Sequence, residues 1–471
     1  MQIILKNIHA IDPKVNLDEV CDVVISEGKI AAIGHDLDAA SAEGAGAGAD
    51  AGASAAREGA GADATRKGAG ADAAREGAGA EDVEVRDMTG KILVPGLVDI
   101  HVHLREPGYE FKEDIQSGTR AAAHGGFTAV CAMPNTLPVT DTALAVEYTK
   151  ARAKEVGACR VHISGACTKD LKGESLAEMG DMATHGAVAF TDDGRGVQSA
   201  GMMRRVMDYA VQFNRVVMSH CQDESLVGSG QVNEGVVSTR LGVAGWPAEG
   251  EELQIQRDIA LCRLTGCPLH IQHISTERGL NAVRAAKAEG LPVTCEATPH
   301  HLFLNEDMIG TNYDTNFKVN PPLRTKHDNE ALIQGVADGS VDVIVTDHAP
   351  HAAYEKDREF ELAPFGMTGI ETSLGLVLTN LVNPGVISWQ RMVELMAHKP
   401  REILRVPPVE LAAGNVADLT IIDPEINWIV SVEDFQSKAQ NSAFVGAQLT
   451  GRATDVYVDG RATMKNGTVV A

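Results

Sequence analysis

Apolar and polar positions alternate at both ends of the chain. Near the start this appears in Gln2-Ile3-Ile4-Leu5, Asp22-Val23-Val24-Ile25 and Ile30-Ala31-Ala32-Ile33, with Glu27-Gly28 between the last two. Near the end it returns in Asp418-Leu419-Thr420-Ile421-Ile422, in Asp455-Val456-Tyr457-Val458 and in Thr468-Val469-Val470. Alternation broken by turn residues reads as short strands joined by hairpins. Two strand-rich ends around a long middle predict one small β-sandwich domain built from both termini.

The middle follows another pattern. Eight apolar, β-branched runs recur there: Ile92–Ile100, Phe127–Ala132, Val161–Gly165, Gly186–Phe190, Arg215–Ser219, Pro268–Gln272, Pro292–Cys295 and Val341–Val345. Between them, Asp141–Glu155, Ser199–Phe213 and Glu277–Lys287 carry apolar residues at helical spacing. Eight strand–helix repeats favour a closed parallel barrel over an open sheet. No glycine-rich dinucleotide or phosphate loop follows the first strand. The expected fold is therefore α/β, a (β/α)8 TIM-like barrel over residues 96–410, with the sandwich formed by 1–95 and 411–471.

Residues 39–82 interrupt the N-terminal part with a Gly/Ala-rich tract. A nine-residue unit starts at Glu58, Lys67 and Glu76, reading EGAGADATR, KGAGADAAR and EGAGAEDVE. With almost no large apolar side chain, the tract buries too little surface to offset its ordering entropy. It is expected to be a flexible insertion in a hairpin of the β domain.

At 471 residues, 44% hydrophobic and 23% charged, the chain is long enough for a barrel and a second, smaller unit. The net charge of -24 excludes a broad basic face for nucleic acid. A small anionic substrate stays compatible, because one or two arginines suffice to hold it. The eight cysteines form no C-x-x-C pair and lie mostly in apolar runs, as small buried hydrophobes do. That pattern, with no signal-peptide layout and no apolar run of about 18 residues, predicts a cytoplasmic protein.

Residues with metal-ligand character gather at one end of the predicted strands. His101 and His103 follow the first, Asp192 and Asp193 the fourth, His220 the fifth, His273 the sixth and Asp347 the eighth. In a barrel this is the C-terminal face, where such folds build their sites. The two-residue spacing of His101 and His103 turns both rings to one side of an extended chain, toward the barrel axis. His300 and His301, after the seventh strand, are ambiguous between structure and function; His270 reads as structural. Imidazole and carboxylate donors without thiolate suit zinc in an open catalytic site. An aspartate after strand four suits bridging two metals, and Asp347 suits proton transfer.

At these positions the chain resembles the amidohydrolase superfamily, and within it the class I dihydroorotases. The resemblance spans nearly everything but the insertion. It rests on Asp99-Ile100-His101-Val102-His103-Leu104-Arg105-Glu106-Pro107-Gly108, Ala132–Thr136 (AMPNT), Ala189–Gly194 (AFTDDG), Val319–Arg324 (VNPPLR), Thr346–His351 (TDHAPH) and Pro364-Phe365-Gly366. It implies that His101, His103 and Asp347 hold one zinc, that His220 and His273 hold a second, and that Asp193 rather than Asp192 bridges them. It leaves one or two zinc ions per subunit open. Arg105, Asn135 and His351 are implied to hold a substrate carboxylate, with Asn320, Phe365 and Gly366 against a pyrimidine ring. A guanidinium fork suits that carboxylate.

Hydantoinases and allantoinases usually bridge their metals with a carbamylated lysine on strand four, and Gly186–Phe190 has none. The implied reaction is the reversible closure of N-carbamoyl-L-aspartate to L-dihydroorotate in pyrimidine biosynthesis, with Asp347 carrying the proton. The alternatives are another cyclic amidase, such as an allantoinase or dihydropyrimidinase, and a non-catalytic dihydroorotase-like scaffold subunit. A homodimer is expected, and association with an aspartate transcarbamoylase is the further partner raised by the resemblance. The polar stretch from His351 to Pro364 is expected to be a loop near the substrate.

Overall fold

The computed structural model describes residues 2–38 and 83–471. The tract 39–82, with its nine-residue units, lies outside the described residues. The two termini join in one nine-stranded sheet. Its N-terminal strands are β1 (Gln2–Asp12), β2 (Leu17–Ser26), β3 (Lys29–Gly34), β4 (Val83–Asp87) and β5 (Ile92–Pro95). Strand β1 pairs antiparallel with β2, and β2 with β3. The segments flanking the insertion do not form the expected hairpin: β3 pairs with β2, whereas β4 lies parallel to β1. Alternation alone does not tell a hairpin partner from a parallel neighbour, since successive side chains face opposite ways in either pairing.

The run Ile92–Ile100, read as one strand, is two. Gly96 separates β5 from β6 (Leu97–Val102), and any larger residue there would collide with Thr128, since a Cβ would fall 2.2 Å from its Oγ1. Strand β5 stays in the terminal sheet beside β1, and β6 opens the barrel.

The barrel continues through β7 (Phe127–Ala132), β8 (Arg160–Gly165), β9 (Ala187–Phe190) and β10 (Val216–Ser219). A two-stranded ribbon, β11 (Val232–Asn233) with β12 (Gly245–Trp246), precedes β13 (Leu269–Ile271), β14 (Val293–Ala297) and β15 (Val343–Ile344). The eight barrel strands run parallel in the order β6-β7-β8-β9-β10-β13-β14-β15. Closure between the last and the first comes from the pairing of Val102 with His348, where the His103 N–H donates to the His348 carbonyl at 2.9 Å. Helices Ala143–Val156, Ala200–Ala210 and Glu277–Ala288 occupy the three stretches of helical spacing. This is the (β/α)8 barrel.

The chain returns to the terminal sheet through β16 (Leu419–Ile429), β17 (Gln448–Val458), β18 (Arg461–Lys465) and β19 (Thr468–Val469). Ile30 of β3 and Tyr457 of β17 share one apolar cluster although four strands separate β3 from β17 in the sheet order, so the sheet curls over its own core. All eight cysteines are buried. Among the described residues no helix is long and apolar enough to cross a membrane.

Val98, Ile100, Ala129, Cys131 and Val216 fill the barrel interior, and Val102 instead joins the outer core beneath the helices. The pairing of β6 with β7 shifts between Asp99 and Val102, and the shift reverses the strand's facing. His101 and His103 thereby look inward, where unbroken alternation from Ile100 would have aimed Val102.

Candidate active site

Six donors converge above the barrel. His101 lies near the end of β6 and His103 directly follows the strand; Asp193, His220, His273 and Asp347 come from the segments after β9, β10, β13 and β15. His101 Nε2 lies 3.3 Å from Asp193 Oδ1 and 3.6 Å from Asp347 Oδ1. His103 Nε2 lies 3.0 Å from Asp347 Oδ1 and 3.5 Å from Asp193 Oδ2. On the other side of Asp193, its Oδ1 is 3.5 Å from His220 Nδ1 and 3.7 Å from His273 Nε2, and these two nitrogens are 2.8 Å apart. Asp193 thus belongs to two groups with metal-holding geometry, one with His101 and His103, the other with His220 and His273.

The far nitrogen of three rings is already engaged. His101 Nδ1 faces Glu296 Oε1 at 2.5 Å, His103 Nδ1 faces Asn135 Oδ1 at 2.8 Å, and His220 Nε2 faces Gln222 Oε1 at 2.9 Å. Each of those oxygens accepts, so a ring that ligates a metal keeps its proton there and turns a lone pair toward the carboxylates. Lone pairs 3.0–3.5 Å from carboxylate oxygen repel unless a cation stands between them. His101 Nε2 and His273 Nδ1 are buried without a hydrogen-bond partner. The donor set therefore fits a metal cation. Glu296 and Asp193 favour positive charge at His101 strongly enough to raise its pKa well above the usual histidine range against the cost of burial, and a cation held between the rings would answer the same field. Burial also opposes ionisation of Asp347 and Asp193, and the surrounding histidines hold both below the usual carboxylate range.

Beside the donors lies an open cavity of about 210 Å³. Arg105, Asn135, Asn320, His351, Phe365 and Gly366 all line it. Arg105 sits at φ 62° with Nε donating to the Pro350 carbonyl at 3.1 Å. His273 (φ 30°) and Asp347 (φ 46°) share this left-handed backbone, which is uncommon for residues other than glycine, asparagine and aspartate. His351 Nε2 lies 2.8 Å from the Phe365 carbonyl, and burial together with Arg105 and Lys112 pushes its pKa down to about 2. The ring is neutral, and its Nε2–H donates to Phe365. Gly366 has φ 124°, and a Cβ there would come within 2.7 Å of Ala349 Cβ.

Residues 90–279 match the family described as Dihydro-orotase-like. The "Dihydroorotase" of Syntrophotalea carbinolica is 43% identical over 465 residues, covering 99% of each chain. That of Pelotomaculum thermopropionicum is 49% identical over 383 residues, 81% of this chain and 89% of the relative. The chain belongs to the dihydroorotase family. Among solved structures, the L-hydantoinase (dihydropyrimidinase) of Arthrobacter aurescens superimposes with a TM-score of 0.81 at 26% identity, covering 100% of this chain and 97% of its own. A dihydropyrimidinase from Brevibacillus agri, at 20% identity and a TM-score of 0.80, shares the fold.

Within this member of the dihydroorotase family, the two aspartates after strand four part company. Asp192 turns away to accept the N–H groups of Cys167 and Thr168 and the Thr168 hydroxyl, while Asp193 faces the histidines. His301 is committed to Thr298 and the Pro321 carbonyl, and neither it nor His300 enters a metal-holding group among the described residues. Arg324, from the matching VNPPLR segment, is buried against Glu251 rather than in the cavity. Asn135 reaches the cavity, but its amide spans His103 and, at 3.3 Å, Asp193 Oδ2, so it also orients two donors. Asn320 Nδ2 donates to Gln222 Oε1 at 2.9 Å.

Sequence reasoning missed Glu296 and Gln222, the partners of His101 and His220. Glu296 sits in β14 one residue past the predicted run Pro292–Cys295, fully buried. A carboxylate directly after an apolar strand-like run was the available signal. Its second oxygen takes His270 Nε2 at 2.9 Å, so the histidine read as structural supports the same carboxylate.

Proposed function

We infer that the chain is a dihydroorotase, a metal-dependent cyclic amide hydrolase that interconverts N-carbamoyl-L-aspartate and L-dihydroorotate in pyrimidine biosynthesis. The observation that carries this reading is the position of Arg105. Arg105 lines the cavity beside the metal donors, and its guanidinium donates to the Pro350 carbonyl rather than to a carboxylate. A carboxylated substrate supplies the missing anion; dihydrouracil and allantoin carry none. The absence of lysine from Gly186–Phe190, with Asp193 between the two histidine pairs, supports the same choice over hydantoinase chemistry.

The residues divide the work. His101, His103 and Asp347 would hold one zinc, His220 and His273 a second, with Asp193 shared. Zinc bound there supplies a Lewis acid and lowers the pKa of a coordinated water toward neutrality. Asp347, held ionised by its histidine neighbours, takes the proton of the attacking water and delivers it to the departing ring nitrogen. Arg105 grips the substrate carboxylate with paired N–H donors, Asn135 and His351 flank it, and Asn320, Phe365 and Gly366 face the ring. Fixing the ring this way keeps the scissile amide against the donors through many encounters.

The same reading takes in a barrel domain at 96–410 with a terminal domain from 1–95 and 411–471. It also takes in a homodimer, association with an aspartate transcarbamoylase and a cytoplasmic location. Family resemblance supports the assembly, and unpaired cysteines support a reducing compartment. The deciding assay offers purified protein dihydroorotate, dihydrouracil and allantoin while metal content is measured. Turnover of dihydroorotate with zinc bound is expected; turnover confined to either other substrate would overturn the assignment.

A further inference from the structure

Two ammonium groups stand behind the cavity wall. Lys318 Nζ donates to the carbonyls of Phe360 at 2.7 Å, Glu361 at 3.1 Å and Ala363 at 2.7 Å. Lys356 Nζ, at the end of the helical turn Ala353–Lys356, donates to the carbonyls of Pro364 and Gly366, both at 3.0 Å. Lys318 is 2% exposed and Lys356 6%. Their acceptors are carbonyl oxygens instead of the carboxylates that usually accompany a buried cation. Burying such a charge is costly unless its hydrogen bonds are met. Lys318 meets that condition, with three N–H groups for three acceptors.

These bonds converge on the wall that faces the substrate. The Gly366 N–H donates to the Lys318 carbonyl at 2.8 Å. The Gly366 carbonyl accepts from Lys356 and from Asn441 Nδ2 at 3.1 Å. Both polar groups of the Gly366 backbone are thus committed. Lys318 Nζ also lies 4.6 Å from the centre of the Phe365 ring, within cation–π range. Two residues further along the chain comes Asn320, on the cavity wall. Lys318 therefore links the two segments, 318–320 and 360–366, that close around one end of the cavity.

We propose that Lys318 and Lys356 are positioning residues for the substrate ring: their Nζ groups fix the spacing of Asn320 and Phe365–Gly366 by gathering the carbonyls of residues 360–366. The ring's identity rests on the dihydroorotase reading; the clamp itself does not. Neither lysine touches the reacting atoms. They govern how well the ring binds and leave the chemical step alone, which separates them from Asp347 and the metal donors.

Steady-state kinetics of Lys318→Met and Lys356→Met on dihydroorotate test this. Each is expected to raise KM about tenfold with kcat within about threefold of wild type and metal content unchanged, the signature of lost binding common to ground and transition states. A fall in kcat at constant KM, or no change in either, overturns it. Hydrogen exchange on the unsubstituted protein covers variants that fail to fold. The Gly366 amide is expected to be protected before any substrate is added, and rapid exchange in the free protein overturns the clamp. Wild-type protein inert toward dihydroorotate would sink the substrate reading alone, leaving the exchange measurement to judge the clamp.

Discussion

Glu296 Oε1 stands 2.5 Å from Nδ1 of His101, and the same oxygen accepts the backbone N–H of His273 at 3.1 Å. One buried carboxylate atom therefore fixes the ring of a donor on one side of Asp193 and the backbone of a donor on the other. Carboxylates behind ligating histidines set the ring tautomer and raise its basicity. Glu296→Gln is expected to weaken metal retention about 10- to 100-fold. Dialysis against graded chelator, followed by metal analysis, reads this directly. Retention equal to wild type would show that His101 is held by its packing alone.

Asp347→Asn keeps the shape of the side chain and removes its capacity to carry a proton. With Asp347 Oδ1 3.0 Å from His103 Nε2, the amide changes the donor set little in volume. Turnover is expected to fall about 10²- to 10⁴-fold, the usual worth of a positioned acid–base group. Metal content must be measured alongside, because the residue is also a proposed ligand. A kcat within tenfold of wild type in metal-replete protein removes Asp347 from proton transfer.

Arg105→Met removes the cation that the cavity offers to a carboxylate. Hydrogen bonds to charged groups contribute about 1.5–3 kcal/mol each, so the loss of one raises KM for dihydroorotate roughly 10- to 150-fold. The neighbouring neutral His351 cannot replace it, since its Nε2–H is held by the Phe365 carbonyl. Binding of dihydrouracil, which has no carboxylate, is expected to change far less. Equal losses for both compounds would mean that Arg105 shapes the cavity and does not recognise the anion.

What the sequence disclosed of this site follows a physical division. His103, Asp193, His220, His273 and Asp347 lie at or just past strand ends, so counting apolar runs was enough to bring them together. His101 still lies inside β6, and its inward aim depends on a pairing shift after Asp99 that alternation cannot foretell. The choice between Asp192 and Asp193 needed the resemblance, because adjacent residues face opposite ways and a one-residue change in strand end exchanges them. Glu296 and Gln222 act through other side chains, at sequence separations of 195 and 2 from their histidines. Neither separation carries a recognisable spacing. The lysine clamp was hidden for a similar reason: its acceptors are backbone carbonyls, which every residue has. The strand break at Gly96 and the parallel pairing of β4 depend on tertiary approach, the close contact with Thr128 in the first case.

Lys356 gives stability a pH dependence whose sign is fixed by burial. Desolvation, with the like charge of Lys318, brings its pKa down to about 7; Asp314 and Glu355 oppose the shift. In the unfolded chain the same amine titrates near 10.4. Between those values the unfolded state binds the extra proton, so stability rises with pH across the window, and below about pH 7 the whole penalty is present. Each pH unit inside the window changes stability by on the order of 1 kcal/mol. The neutral amine keeps two N–H groups, one for each of the Pro364 and Gly366 carbonyls, so deprotonation leaves the wall in place. Lys356→Met cannot titrate here. Thermal unfolding of both proteins, from pH 6 to pH 10 at matched metal content, is expected to show the wild type gaining on the variant as pH rises above 7. Parallel curves across that range would mean that the Lys356 amine stays charged in the fold, held by its carbonyls more firmly than burial opposes it.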